Sequence, residues 1–175
     1  MFKIILLVTA VVIAGVILYA ASRPDTFRVA RTAIVKAPPE AIFPLIDNLH
    51  AGEEWSPYYR KDPAMKGTYS GPDRGAGATF EFAGNKDVGS GRVTVIGSEA
   101  PGKGTMRLQM FKPIAADNVV EFTLVPRGDA TEVTWAMHGR QPFVGKVMSL
   151  VFDMDKMIGT DFATGLGNLK AVVET

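Results

Sequence analysis

The hydrophobic period of this chain changes once, at Pro142, and that change limits the folds open to it. Before Pro142, residues 78–83, 91–98, 105–112, 118–125 and 131–137 alternate apolar and polar side chains, at the spacing of an antiparallel meander. One phase carries Phe80, Phe82, Val93, Val95, Met106, Leu108, Met110, Val120, Phe122, Leu124, Val133, Trp135 and Met137. The other carries Thr79, Glu81, Arg92, Thr94, Arg107, Gln109, Glu121, Thr123, Glu132 and Thr134. Such a sheet is dry on one side and wet on the other. After Pro142, Phe143, Val147, Leu150, Val151, Met154, Met157, Ile158, Phe162, Leu166, Leu169 and Val173 recur at steps of three or four, which predicts one long amphipathic helix. A sheet with one apolar face needs a cover, and this helix is the only element long enough to supply it. Gly159, Gly165 and Gly167 each cost up to ~1 kcal/mol relative to Ala inside a helix, so a close backbone approach or a bend is expected there.

Ahead of the meander, residues 27–35 alternate well enough for a strand, and Ala37-Pro38-Pro39-Glu40 stops it and opens a helix with Pro near its first position. Ile42, Phe43, Leu45, Ile46 and Leu49 form the apolar face of that helix. Pro44 falls inside it and predicts a kinked or shortened element, because proline has no N–H to donate. Glu53-Glu54-Trp55-Ser56-Pro57-Tyr58-Tyr59 then reads as a turn or a second short helix.

Residues 4–21 carry no charge and are long enough, at ~1.5 Å per residue, to approach the ~30 Å hydrocarbon core of a bilayer. The expectation is a transmembrane anchor over residues 1–22 and one globular domain over residues 23–175. A cleaved signal peptide is the alternative, with Ala20-Ala21-Ser22 as its cleavage motif, although its apolar part usually runs only about 7–15 residues. A buried core helix is disfavoured because the segment is apolar on every face. Lys3 lies on one side and Arg23, Arg28 and Arg31 on the other, so the positive-inside rule gives conflicting votes. The balance leans towards a cytoplasmic globular domain.

The 175 residues include 19 Lys+Arg and 18 Asp+Glu, and no cysteine. Near-neutrality leaves no basic footprint for nucleic acid. The lack of thiols excludes disulfides, thiolate metal sites and a cysteine nucleophile. His50 and His138 are the only imidazoles, and nothing in their spacing joins them to a carboxylate, so no metal site and no cofactor are expected. His50 sits beside a polar turn after the first helix, and His138, on the wet phase of its strand, reads as a solvated or capping group. Gly84-Asn85-Lys86-Asp87-Val88-Gly89-Ser90 imitates a phosphate loop, but has Ser where the Lys must stand and joins two strands. Serine chemistry lacks both an elbow and a partner. Asp153, Asp155 and Asp161 on the last helix, and Glu81 on a strand, are the candidate acid/base groups. A carboxylate entering an apolar cavity would have a raised pKa, whereas one at the helix surface would pair with a lysine or snorkel to water.

The element order is strand, short helical pair, antiparallel meander, long C-terminal helix. With Ala37-Pro38-Pro39-Glu40, Trp55-Ser56-Pro57, Asp62-Pro63-Ala64-Met65, Tyr69-Ser70-Gly71-Pro72, Gly84-Asn85, Val88-Gly89-Ser90-Gly91, Thr134-Trp135-Ala136-Met137, Met154-Asp155 and Gly159-x-Asp161-Phe162, it resembles the START-like or SRPBCC superfamily. The branch it is most similar to is the bacterial polyketide cyclase/dehydrase type, over residues 27–173. Pro44 departs from the small or apolar residue expected at its position. The resemblance implies an α+β helix-grip fold, with a curved antiparallel sheet wrapped around the C-terminal helix and the transmembrane helix in front.

It also implies a lipid, polyketide or other hydrophobic molecule between sheet and helix. The residues that would line that site are Phe80, Phe82, Met106, Leu108, Met110, Phe122, Leu124, Trp135, Met137, Met154, Ile158 and Phe162. Trp55, Tyr58 and Tyr59 would stand at its entrance. Methionines adapt to variable apolar guests, but the same stripe also builds a filled core. The leading expectation is therefore a membrane-anchored binder of a small hydrophobic ligand, with the bilayer as its second partner through residues 4–21. A cyclase or dehydratase using a buried carboxylate, and a membrane-tethered co-chaperone-like module, are the alternatives.

Overall fold

The computed structural model describes residues 1–175. Helix α1 (Phe2–Ser22) is followed by β1 (Thr26–Val35), α2 (Pro39–Asp47), a 3-10 turn (Leu49–Ala51), α3 (Gly52–Trp55) and α4 (Pro57–Lys61). Six strands follow: β2 (Lys66–Ser70), β3 (Thr79–Ala83), β4 (Ser90–Glu99), β5 (Lys103–Lys112), β6 (Ala116–Arg127) and β7 (Ala130–Arg140). Helices α5 (Phe143–Met148) and α6 (Met154–Val173) end the chain. One antiparallel sheet runs β1-β7-β6-β5-β4-β3-β2. The fold is α+β, as the period change implies. Pro39 opens α2 and Pro44 lies within it, exposed, three residues before the helix ends.

Alternation runs along the meander apart from register shifts at Ser90/Gly91 and Val95/Gly97 in the β4–β5 pair, and the two faces are as expected. The wet face is laced by cross-strand pairs: Arg92 with Glu81 at 2.7 Å, Lys103 with Glu121 at 2.9 Å, and the Thr32 and Thr134 hydroxyls at 3.0 Å. His138 stands on this face, 3.5 Å from Glu121, in a solvated position. The dry face and the helices build a core containing Val29, Ile42, Phe43, Ile46, Met106, Phe122, Leu124, Val133, Trp135, Met137, Phe162, Leu166 and Leu169.

Two expectations are corrected. The segment after Pro142 is two helices, separated by residues 149–153. The Asp153 carboxylate accepts the Lys156 amide at 2.9 Å and so starts a new helix, a stronger local signal than the continuous apolar period. In consequence Leu150, Val151, Met154 and Met157 are exposed rather than buried. The second correction is β2, a seventh strand that the apolar–polar alternation does not mark. It is short and offers only Tyr69 to the interior, and Gly67 is required in it because the Phe80 ring of the next strand occupies the space a Cβ would need.

Helix α1 spans 21 residues, buries only Ala20, and is long and apolar enough to cross a membrane. Three residues, 23–25, join it to β1. That joint is tied down. The Asp25 carbonyl accepts the Gln141 amide at 2.8 Å, and the buried Lys146 side chain of α5 sets its ammonium 2.5 Å from the exposed Asp25 carboxylate, holding that carboxyl below its ordinary value.

Gly159 and Gly165 both mark close approach, with opposite consequences. A Cβ on Gly165 would lie 2.5 Å from Cζ3 of the packed Trp135 ring and 3.0 Å from Pro57, whereas one on Gly159 would meet the end of the flexible Arg31 side chain. Gly165→Ala is expected to destabilise the domain by about 1–3 kcal/mol through overpacking. Gly159→Ala should be near neutral, since Arg31 swings aside, loses its 2.9 Å pair with Asp155, and the helix gains propensity. Denaturant midpoints of the two variants check this; equal losses contradict it.

Candidate functional site

The inner face of the sheet is built in rows set by strand register. Val29, Met137, Val120, Met106 and Val95 share one row, and Arg31, Trp135, Phe122 and Gly104 the next. In the opposite direction lie Phe27, Gly139, Asn118, Leu108, Val93, Phe80 and Tyr69, and beyond them Met110, Gly91, Phe82 and Gly67. The rows differ in what covers them. Helix α6 lies mainly against β1, with smaller contacts to β7, α2, α3 and α4, and α2 packs on β5 and β6. No helix lies in comparable contact with β3 or β4.

The covered rows form an aromatic knot. The Trp135 and Phe162 rings stack with centroids 4.2 Å apart and planes 11° apart; Phe122 lies 5.0 Å from Trp135, and Trp55 meets Trp135 edge-on at 5.5 Å. Trp55, expected at an entrance, is 5% exposed and belongs to this knot. Its indole N–H donates to the Leu45 carbonyl at 2.9 Å, while the Asn168 amide donates to its backbone carbonyl at 3.0 Å. The Trp135 indole N–H is buried without any partner. An orphan donor of that kind costs about 1–3 kcal/mol.

The expected lining residues therefore divide. Met106, Phe122, Leu124, Trp135, Met137 and Phe162 are buried together in the core; Phe80 is buried outside it, against Tyr59 and Tyr69; Phe82, Leu108, Met110 and Ile158 are half-buried; and Met154 is exposed at the start of α6, away from the knot. Tyr58 and Tyr59 are half-buried; Tyr58 packs against the core with the Lys61 ammonium over its ring, and Tyr59 stacks on Phe80 at 5.8 Å. A further group had no signal beyond its isolated residues. His50 stacks on Tyr69 at 3.6 Å, Tyr69 on Phe80 at 4.5 Å, and Phe80 on Phe82 at 5.9 Å, an aromatic column along the sheet's β2 edge. The Tyr59 and Tyr69 hydroxyls lie 2.6 Å apart, and Tyr69 donates to Glu53 at 3.0 Å.

Acid/base chemistry finds no carboxylate in the knot. Asp153 caps α6, Asp155 pairs with Arg31, Asp161 pairs with Lys61 at 2.7 Å, and Glu81 pairs with Arg92 on the wet face. Asp47 is the one buried carboxylate, and no sequence pattern singled it out. Its Oδ1 has no partner, and its backbone carbonyl accepts the Gly75 amide, against the loop that precedes β3. Two clefts open elsewhere. One of about 150 Å³ is lined by Leu49, His50, Tyr69–Gly71 neighbours and Thr79, and another of about 370 Å³ lies on the wet face around Glu81, Arg92, Thr94 and Arg107. Neither is lined by any of the expected ligand residues, and no cluster of three His, Asp or Glu side chains is arranged to hold a metal.

Residues 26–174 match a family model described as polyketide cyclase / dehydrase and lipid transport. No curated protein matches the sequence. Among solved structures, a protein of Chromobacterium violaceum is 16% identical with a TM-score of 0.61, covering 87% of this chain and 99% of that one. The Aha1 dimer of Colwellia psychrerythraea gives 17%, 0.60, 85% and 96%, and the major latex-like protein 151 of Panax ginseng 9%, 0.59, 86% and 99%. These likenesses establish the helix-grip fold.

The tyrosines supply a pH test. Burial pushes the Tyr58, Tyr59 and Tyr69 hydroxyls above the usual phenol value of 10.0. An acid whose pKa is raised by folding contributes full stability below the unfolded value, and that contribution is lost as pH rises through the folded one. Absorbance at tyrosinate wavelengths should therefore rise together with the loss of far-ultraviolet circular dichroism, above pH 10. A tyrosinate step completed in the folded protein near pH 10 contradicts the burial.

Proposed function

We propose that this chain, which belongs to the polyketide cyclase / dehydrase and lipid transport family, is a membrane-anchored carrier of a small hydrophobic molecule. Residues 1–22 act as the anchor and residues 23–175 as the binding module. The guest lies between the inner face of the sheet and the C-terminal helices, over the rows that α6 leaves uncovered. One observation carries this reading: Phe82, Val93, Leu108 and Met110 point to the dry face yet remain half-exposed, because α6 follows β1 instead of crossing the sheet.

Apolar surface left open on the concave side of a sheet gains about 25 cal/mol for each Å² that a guest removes from water. Met110, and Met106 below it, can re-pack around guests of different shape. The family description, which includes lipid transport, supports apolar cargo of this kind. The cyclase reading has no comparable support, since each candidate carboxylate is engaged with a partner outside the knot.

The test uses the full chain in lipid nanodiscs and cis-parinaric acid as the probe. Trp55 and Trp135 are the only tryptophans and both sit in the knot, so energy transfer from them reports a bound polyene. Met110→Glu places a carboxylate on the guest's face at a half-exposed position. It is expected to weaken probe binding at least about 10-fold, with little change in Tm, while Thr94→Glu on the wet face leaves binding unaltered. Absence of transfer in the parent protein, or equal binding by Met110→Glu, contradicts the proposal.

A further inference from the structure

We propose that the open end of the sheet rests on the lipid bilayer. The contact is an apolar rim made of Ile114 in the β5–β6 turn and of Phe143, Val144, Val151 and Phe152 on α5 and the turn after it. The binding face would then open onto lipid rather than water. This inference rests on the anchor reading above and deepens it.

Register places these parts at one end of the molecule. Thr26 pairs with Arg140, Gly139 with Asn118, Asn118 with Leu108, and Ala116 with Met110. The first residue of β1, the β5–β6 turn and the β7–α5 junction therefore lie at the same level, together with the outermost row of the binding face. This is also the end from which α1 leaves. Residues 23–25 reach at most about 10 Å, so the bilayer surface lies within that distance of β1 if α1 spans.

The joint also fixes the pose. Asp25 is held by the Gln141 amide and the Lys146 ammonium, and α5 is the element that meets α1. Helix α5 thus sits against the end of the span, and its unburied side chains face the level of the headgroups. Phe143, Val144, Val151 and Phe152 are 47–78% exposed, and Ile114 is 56% exposed. Phe111, next to the same turn, and Leu150, Met154 and Met157, which follow α5, are exposed too, whereas Ile34 and Ile96 are exposed singly, an ordinary feature of a soluble surface. An apolar cluster continuous with the base of an apolar helix is different in kind. Arg23, Lys112 and Arg140 are exposed at the same level and suit phosphate headgroups around such a rim. Continuity with α1 and this charge favour a bilayer over a second protein as the occupant.

The chain has no cysteine, so single cysteines can be introduced without background. Leu18→Cys, Ile34→Cys, Ile114→Cys and Val151→Cys in the full chain, labelled with an environment-sensitive fluorophore, would be reconstituted in vesicles of phosphatidylcholine and phosphatidylglycerol. The vesicles carry nitroxides either near the headgroup or deep in the acyl chain. The expected result is a Leu18 label quenched by deep nitroxides, Ile114 and Val151 labels blue-shifted and quenched by shallow ones, and an Ile34 label, at the far end of β1, unaffected. A quenched Leu18 label with Ile114 and Val151 labels as unresponsive as Ile34 overturns the docking and leaves the anchor standing. Blue-shifted Val151 emission that ignores lipid nitroxides means a protein covers the rim, and overturns it too. An unquenched Leu18 label overturns the anchor and this inference with it.

Discussion

The stack of Phe162 on Trp135, with Gly165 beside it, sets where everything else can go. Helix α6 comes this close to β7 only because Gly165 presents no Cβ to the indole ring. Once that contact is made, α6 is committed to the β1 side of the sheet, with Arg31 and Asp155 pairing across its first turn. α2, α3 and α4 then close the floor around Trp55, through the Leu45 carbonyl and the Asn168 amide. Leu108, Met110 and Phe82 are left half-exposed, since the only helical side chain stacked on β3 is Tyr59 of α4, over Phe80. Under the proposed carrier function, covering those side chains internally would remove the surface a guest needs.

This division also explains why the apolar inventory reads ambiguously as sequence. Core and lining draw on the same residue types at the same alternation, and only the path of α6 separates them. Met106 and Met110 share a strand and a face, yet Met106 is buried under the knot and Met110 is half open. The carboxylates separate just as clearly once placed. Asp155 and Asp161 lie on the helix that grips the sheet, but each turns to a basic partner at its rim, Arg31 and Lys61, and is held there.

Much of the fold was legible because its signals are local. Strand alternation through the meander and Pro39 at the head of α2 each follow from a few neighbouring residues, whereas of the three helix glycines expected at a close approach Gly159 and Gly165 meet Arg31 and Trp135 and Gly167 has open space around it. What was hidden depends on contacts between distant segments or on competing local signals. β2 shows one inward side chain and a glycine whose need arises from Phe80 on the next strand. The break between α5 and α6 comes from a single cap, Asp153, within an apolar period that continues straight through it. The role of His50 rests on a stack with Tyr69, which no spacing in the sequence could reveal. Trp55 was legible as an aromatic in a turn, but its place in the core required knowing that α3 packs against α6.

The central claim is that the uncovered rows hold a hydrophobic guest, and native mass spectrometry of the full chain released gently from nanodiscs addresses it most directly. The account predicts a population carrying one extra apolar molecule of lipid or similar mass, which Met110→Glu depletes. Spectra showing only the bare chain, from the parent protein and across lipid compositions, would contradict it.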